Sequence, residues 1–237
     1  MYKIFKRLFD FIVSFSLLLI ISPLFILIVI VLKLSGEKEV FYLQERIGYE
    51  NVPFNIYKFA TMLKDSPNMG NKTLTVRNDP RITKVGKYLR ITKLNELPQL
   101  INVLKGDMSF VGPRPLLSTS VLKYSTEVQK IIYLNKPGIT GLGSVVFRDE
   151  EKLVSEVVKL GGNPMEYYGL YIYPYKGQLE KYYYSNISLT TDFKILIATA
   201  WILLFKKSNL IYKFFSDLPP KPESLTIYGI SKLKNQL

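Results

Sequence analysis

The segment TKLNELPQLINVLKGDMSFVGPRP, Thr92 to Pro115, sets an amide beside a carboxylate, Asn95 and Glu96, with Arg90 upstream and Arg114 downstream. A carboxylate near two guanidiniums suits phosphate chemistry. Each guanidinium can bind phosphate in a bidentate fork, and an ionised carboxylate can hold a hard divalent cation against a diphosphate. Leu97, Leu100, Ile101 and Leu104 recur at i, i+3, i+4 and i+7, the spacing of one apolar helix face. Pro98 is tolerated only in a first turn, so the pattern predicts a helix that begins at Asn95–Glu96 and stops at Gly106. Taken singly, Asn95 is a good N-cap and Glu96 a good first-turn acid. A helix N-terminus also collects anions, so the same pair serves equally as one wall of a phosphate site. Lys58 and Arg81 are further candidates for contact with a nucleotide or lipid phosphate.

Composition limits what else such a site could use. The 237 residues carry 32 Lys+Arg against 19 Asp+Glu, a formal charge of +13, which calls for an anionic partner. Neither Cys nor His occurs. Thiolate zinc sites, disulfides and imidazole catalysis are therefore excluded, and any metal must be a hard ion held by oxygen, such as Mg²⁺.

The elements that must position these residues begin with an apolar run. From Phe11 to Leu32 no residue is charged, and only Ser14, Ser16, Ser22 and Pro23 interrupt it. A straight helix of that length reaches about 30 Å, the thickness of a bilayer core. No small-residue cleavage site follows, so the segment reads as a retained anchor. Lys3, Lys6 and Arg7 precede it and Lys33 and Lys38 follow it. Positive charge at both ends, with Ser22–Pro23 near the middle, fits a re-entrant hairpin as well as a kinked spanning helix.

Beyond residue 36, EVFYLQERIG and PFNIYKFATM have the texture of strands, and SPNMGNKTLTVRNDPRIT that of a loop. In the helical stretch that follows, Lys84, Lys87 and Arg90 recur every three positions, as either a solvated face or a phosphate-facing one. KPGITGLGSV is a second turn-rich loop. Eight tyrosines fall between Tyr167 and Tyr184, suited to core packing or to an interfacial belt. The apolar run from Ile195 to Phe205 is too short to span and, with Trp201, reads as either a core helix or an interfacial one.

In their order along the chain, KRLFDF, the Ser22–Pro23 break, QERIG, FNIYKFATM, NDPRITKVGKYLR, NELPQLINVLKGDMSFVGPRP, KPGITG and YYYSNISLTTDFKILIATA resemble the bacterial sugar transferase family, the monotopic polyprenol-phosphate phosphoglycosyl transferases. The resemblance implies an α/β fold, helix-rich with a small sheet. It also implies a re-entrant membrane helix–break–helix over residues 1–36, amphipathic interfacial helices, and a membrane-associated domain over 37–237 on the cytoplasmic face of the inner membrane. The implied activity moves a sugar-1-phosphate from a UDP-sugar to undecaprenyl phosphate and releases UMP, with Mg²⁺ as cofactor. The implied partners are those two substrates and membrane lipids, with a homodimer left open. Nucleic acid is not expected, since no nucleic-acid-binding motif is present. In the family, the Asp of an Asp-Glu pair attacks the β-phosphate, and the matching positions here are Asn95 and Glu96.

An amide oxygen is neutral and cannot be that nucleophile. Three accounts stand: a replaced Asp, a natural branch with another nucleophile or a direct transfer, and an inactive relative that still binds lipid or nucleotide. Asp149, Glu150 and Glu180 are the alternative carboxylates, the last at a position where the family usually has Asp. Ala60 stands where the family usually has a basic residue.

Overall fold

The computed structural model describes residues 1–35, 37–66, 79–205 and 208–233, so most of the expected loop after Ser66 lies outside the described residues. Apart from the first two residues, the chain divides into two compact units. One comprises residues 3–46 and 53–108, the other 47–52 and 109–237.

In the first unit α1 (Tyr2–Leu34) is one helix long and apolar enough to cross a membrane. Its helical assignment continues through Ser22–Pro23 without the expected interruption. Pro23 has no N–H for the Leu19 carbonyl four residues back. The Ser22 hydroxyl donates to that carbonyl at 2.8 Å, so the helix carries on with its lost acceptor satisfied. Two points of α1 are fixed to the rest of the unit. Near the start, both terminal nitrogens of Arg7 donate to the carbonyls of Val103 and Leu104, each at 2.7 Å. Near the end, Ile28 and Leu32 are buried with Val40, Phe59 and Leu89. The Phe25 ring lies 4.9 Å from that of Phe59 and 6.2 Å from that of Phe41.

The two expected strands are β1 (Phe41–Ile47) and β2 (Pro53–Phe59), paired in a two-stranded sheet. Helix α2 (Lys84–Ile91) is capped by Thr83, whose hydroxyl accepts from the Gly86 N–H at 2.9 Å. Gly86 packs so closely on Thr61 that a Cβ there would sit 2.1 Å from the Thr61 carbonyl oxygen. Helix α3 (Gln99–Lys105) ends at Gly106 in the left-handed conformation, φ 93°, as expected. Asn102, fully buried, ties α3 to β2. Its Oδ1 accepts from the Tyr57 N–H at 2.9 Å and its Nδ2 donates to the Asn55 carbonyl at 2.8 Å.

The second unit is built on β3 (Ser109–Val111) and β4 (Gly138–Thr140), a parallel pair with Ser109 opposite Gly138 and Val111 opposite Thr140. Here the glycines of VGPRP and KPGITG interlock. A Cβ at Gly138 would lie 2.2 Å from the Gly112 nitrogen, and one at Gly141 2.2 Å from the Gly112 carbonyl oxygen. Two short helices, α4 (Ser118–Val121) and α5 (Thr126–Ile131), fill the crossover. Then follow α6 (Leu142–Val146), α7 (Glu150–Lys159), α8 (Pro164–Tyr167), a π-helical segment (Tyr168–Ile172), α9 (Tyr173–Ser185) and α10 (Leu189–Leu204).

The C-terminal segment, with α11 (Leu210–Phe214) and α12 (Ile227–Lys232), folds back on the same core, where Leu225 and Ile230 are fully buried. The tyrosine cluster is mainly core. Tyr167 and Tyr175 are fully buried, and their hydroxyls donate to the carbonyls of Ser224 and Pro219, each at 2.7 Å. Helix α10 serves two surroundings. Thr191, Asp192, Ile195 and Ala198 are buried on one face, while Phe193, Ile197 and Trp201 form an exposed apolar stripe on another.

Candidate functional site

The first unit holds Asn95 and Glu96. They lie in a 3₁₀ turn, Leu94–Glu96, one turn before α3, instead of in its first turn as the sequence pattern suggested. Pro98 cannot donate to the Leu94 carbonyl, so the Leu97 N–H takes it at 3.1 Å in the tighter i→i+3 pattern. Lys93 enters the turn in the left-handed conformation, φ 62°, unusual for a residue with a side chain.

The N-cap reading of Asn95 does not hold. The residue is 8% exposed, and its Oδ1 is buried with no hydrogen-bond partner among the described residues. The neighbouring Glu96 is half-buried, and among the described residues its carboxylate makes no hydrogen bond or ion pair. An uncommitted carboxylate is an oxygen donor of the kind a hard divalent cation such as Mg²⁺ takes, so Glu96 could hold one. Among the described residues no group of three or more acidic side chains forms an all-protein cage for a metal.

Arg90 is half-buried and donates to the Thr61 hydroxyl at 3.3 Å, whereas Lys84 and Lys87 are exposed. Lys58 is half-buried on β2. Arg81 is 6% exposed and forks onto Asp79, with Nε to Oδ1 at 2.9 Å and Nη2 to Oδ2 at 2.6 Å. Its guanidinium is thus already committed to a carboxylate within the protein.

The second unit holds the other expected residues. Arg114 is exposed between the buried Pro113 and Pro115. Its backbone is pinned by Tyr133, whose hydroxyl donates to the Arg114 carbonyl at 2.9 Å and accepts from the Leu116 N–H at 2.9 Å. Glu150, at the start of α7, binds the Lys176 ammonium of α9 through both carboxylate oxygens, at 2.7 and 2.8 Å. Burial pulls Lys176 below the ordinary lysine range, against the opposing pull of Glu150. Tyr168, in the π-helical segment, is pushed well above the usual tyrosine range, first by burial and then by Glu150. Asp149 is exposed and pairs with Lys152, at 3.3 Å.

Glu180 differs from both of these acids. Among the described residues it forms no hydrogen bond, and burial raises its carboxyl to about 7, opposed by Lys176. The room for its carboxylate comes from Gly143, where a Cβ would lie 3.4 Å from Oε1.

Unit 1 therefore gathers Asn95, Glu96 and Arg90 in neighbouring elements, and unit 2 gathers Glu150, Glu180 and Arg114 around Lys176. Lys176 was not singled out from sequence. Its spacing of four residues before Glu180 on one helix was the available signal.

Comparison with known proteins identifies the family of the chain. The family model described as bacterial sugar transferase matches residues 1–206. An undecaprenyl-phosphate galactose phosphotransferase of Salmonella typhimurium is 34% identical over 213 residues, 84% of this chain and 40% of its own length. The exopolysaccharide production protein ExoY of Rhizobium meliloti is 36% identical over 167 residues, 64% of this chain and 73% of its own. An uncharacterized sugar transferase, EpsL, of Bacillus subtilis is 36% identical over 196 residues, 83% of this chain and 85% of its own. The chain thus spans well under half of the Salmonella relative and most of the Bacillus one.

Proposed function

The chain belongs to the bacterial sugar transferase family, and from that premise we propose that it is a phosphoglycosyl transferase. It moves a sugar-1-phosphate from a UDP-sugar to undecaprenyl phosphate, releases UMP and starts a bacterial surface glycan. The observation that carries this is the pair at the 3₁₀ turn, where, among the described residues, Glu96 is left uncommitted beside the buried, unpartnered Asn95 oxygen.

Phosphoryl transfer needs positioning and charge neutralisation more than covalent help from the protein. With an amide at 95, the carrier phosphate itself attacks the β-phosphorus of the donor. A new phosphorus–oxygen bond forms there, the bridging bond to the α-phosphate breaks, and its electron pair leaves on UMP. Within unit 1, Glu96 would hold Mg²⁺, which when bound would supply charge neutralisation of the diphosphate, Asn95 Oδ1 accepts a hydrogen bond from the bound donor, and Arg90 and Lys58 supply positive charge. Within unit 2, Arg114 offers a fork to phosphate from a pinned backbone.

Residues 1–36 are taken as a re-entrant membrane segment and 37–237 as the cytoplasmic-face domain. Support comes from α1, whose start and end are both held by unit 1, at Arg7 and at Ile28 and Leu32. A helix that crossed the bilayer would put its two ends on opposite sides. The exposed apolar stripe of α10 suits an interfacial position.

The test is UMP release by purified protein with Mg²⁺ and a panel of UDP-sugars, with and without undecaprenyl phosphate, beside Asn95→Asp. The native chain is expected to release UMP only when the carrier is present. Asn95→Asp is expected to release a first equivalent without it. A second reading, a silenced member that binds the carrier or recruits later enzymes, is favoured by Asn95 itself. It prevails if the native chain is inactive with every donor while Asn95→Asp turns over.

A further inference from the structure

The family match ends at residue 206, yet the segment beyond it is built into unit 2. Leu218 and Leu225 are buried on either side of Pro219-Pro220-Lys221-Pro222, and the buried Tyr175 hydroxyl holds the Pro219 carbonyl at 2.7 Å. The resulting strap repeats the mounting of Arg114: a cation flanked by prolines on a backbone pinned by a tyrosine hydroxyl. Proline fixes φ, so neither cation has much backbone freedom to lose on binding.

The strap carries Lys221 onto the Glu150–Lys176 cluster. The Lys221 ammonium lies 5.4 Å from the Phe147 ring centroid, and the Lys176 ammonium lies 5.0 Å from the same ring. Lys176 is spent on Glu150, whereas Lys221 makes no hydrogen bond or ion pair among the described residues. Its three donors are unused although it is half-buried, and burial pulls it below the ordinary lysine range while Asp149 and Glu150 push the other way.

We infer that Lys221, delivered by the C-terminal strap, is a ligand-binding residue of unit 2 that takes a phosphate group. This rests on the function proposed above for the identity of the phosphate, which belongs either to the nucleotide donor or to the polyprenyl carrier. The aromatic face under Lys221 orients the ammonium, and the paired Glu150 keeps like charge from accumulating beside it.

The test compares native protein, Lys221→Met and Lys221→Arg in lipid nanodiscs. Lys221→Met keeps the apolar stem on Phe147 and removes the charge. Calorimetric titrations use inorganic pyrophosphate, UDP and a polyprenyl phosphate, and thermal unfolding without ligand checks the fold. Lys221→Met is expected to weaken pyrophosphate binding about tenfold at unchanged Tm, and Lys221→Arg to restore it. The same loss with UDP alone, or with polyprenyl phosphate alone, identifies the source of the phosphate. Equal pyrophosphate binding by native and Lys221→Met protein, or none by the native protein, overturns the inference. Lys221-dependent binding of pyrophosphate with no binding of UDP or polyprenyl phosphate upholds the inference and overturns the proposed function.

Discussion

The Lys176 ammonium donates to both oxygens of Glu150, at 2.7 and 2.8 Å, and joins α9 to the start of α7. The two side chains are 17% and 22% exposed, so either one left alone would be a poorly solvated charge. Lys176→Met is expected to cost about 3 kcal/mol, because it strands the Glu150 carboxylate. Adding Glu150→Gln to Lys176→Met should recover at least half of that loss. Thermal unfolding of the two variants measures both numbers, and equal Tm values for single and double variants would dismiss the pair as a stabilising unit.

Glu180 gives unit 2 a pH dependence of definite sign. Its folded-state pKa, about 7, lies above the usual carboxylate value, so the folded chain holds its proton more tightly than the unfolded chain. The associated stability is fully present below about pH 4.5 and is lost as pH rises through 7. Between pH 5 and 8 the native protein should lose on the order of 2 kcal/mol relative to Glu180→Gln. Parallel Tm–pH curves for the two proteins would show that Glu180 titrates as an ordinary carboxylate.

Much of this arrangement was legible in sequence, for identifiable reasons. The apolar run from Phe11 to Leu32, the strands at β1 and β2 and the Gly106 stop follow from local patterns that tertiary contacts leave intact. The start of α3 was misjudged by one turn, since Pro98 fits a first turn of α-helix and a 3₁₀ lead-in equally well. Asn95 was plausible as a cap because its type is right, yet capping depends on where the oxygen points, which spacing does not encode. The Glu150–Lys176 pair and the Phe147–Lys221 contact join residues 26 and 74 positions apart, beyond the reach of any local pattern.

Asn102 shows the same dependence on long-range contacts. It looks like an ordinary polar position on a short helix, but it supplies partners to two backbone groups of β2, at Tyr57 and Asn55. Asn102→Ala removes the partner of both groups and empties a fully buried side-chain position, and should cost about 2 kcal/mol. Asn102→Asp keeps the acceptor for Tyr57 but offers a second acceptor to the Asn55 carbonyl, so it should not rescue. Unfolding within 1 kcal/mol of native for Asn102→Ala would mean that the α3–β2 tie carries little of the stability.

Under the proposed function, Arg114 offers a way to separate transfer from membrane attachment. Tyr133 holds its backbone, and its exposed guanidinium takes no part in the buried core. Arg114→Ala should lower UMP release at least a hundredfold while leaving sedimentation with membranes and Tm unchanged. Wild-type turnover in Arg114→Ala would remove this guanidinium from the phosphate contacts.

The disposition of α1 can be tested without background labelling, because the chain contains no cysteine. Lys3 precedes the apolar run and Lys38 follows it, and both are exposed. A re-entrant segment keeps both on one face of the membrane. A spanning helix separates them by the bilayer core, about 30 Å thick. Single Lys3→Cys and Lys38→Cys proteins, treated with a membrane-impermeant maleimide in intact cells and in inverted vesicles, should both be protected in cells and both react in the vesicles. Reaction of one from each side would make α1 a spanning helix. The Arg7 bonds to Val103 and Leu104 would then have to hold at one membrane face while Ile28 and Leu32 packed on Phe59 near the other.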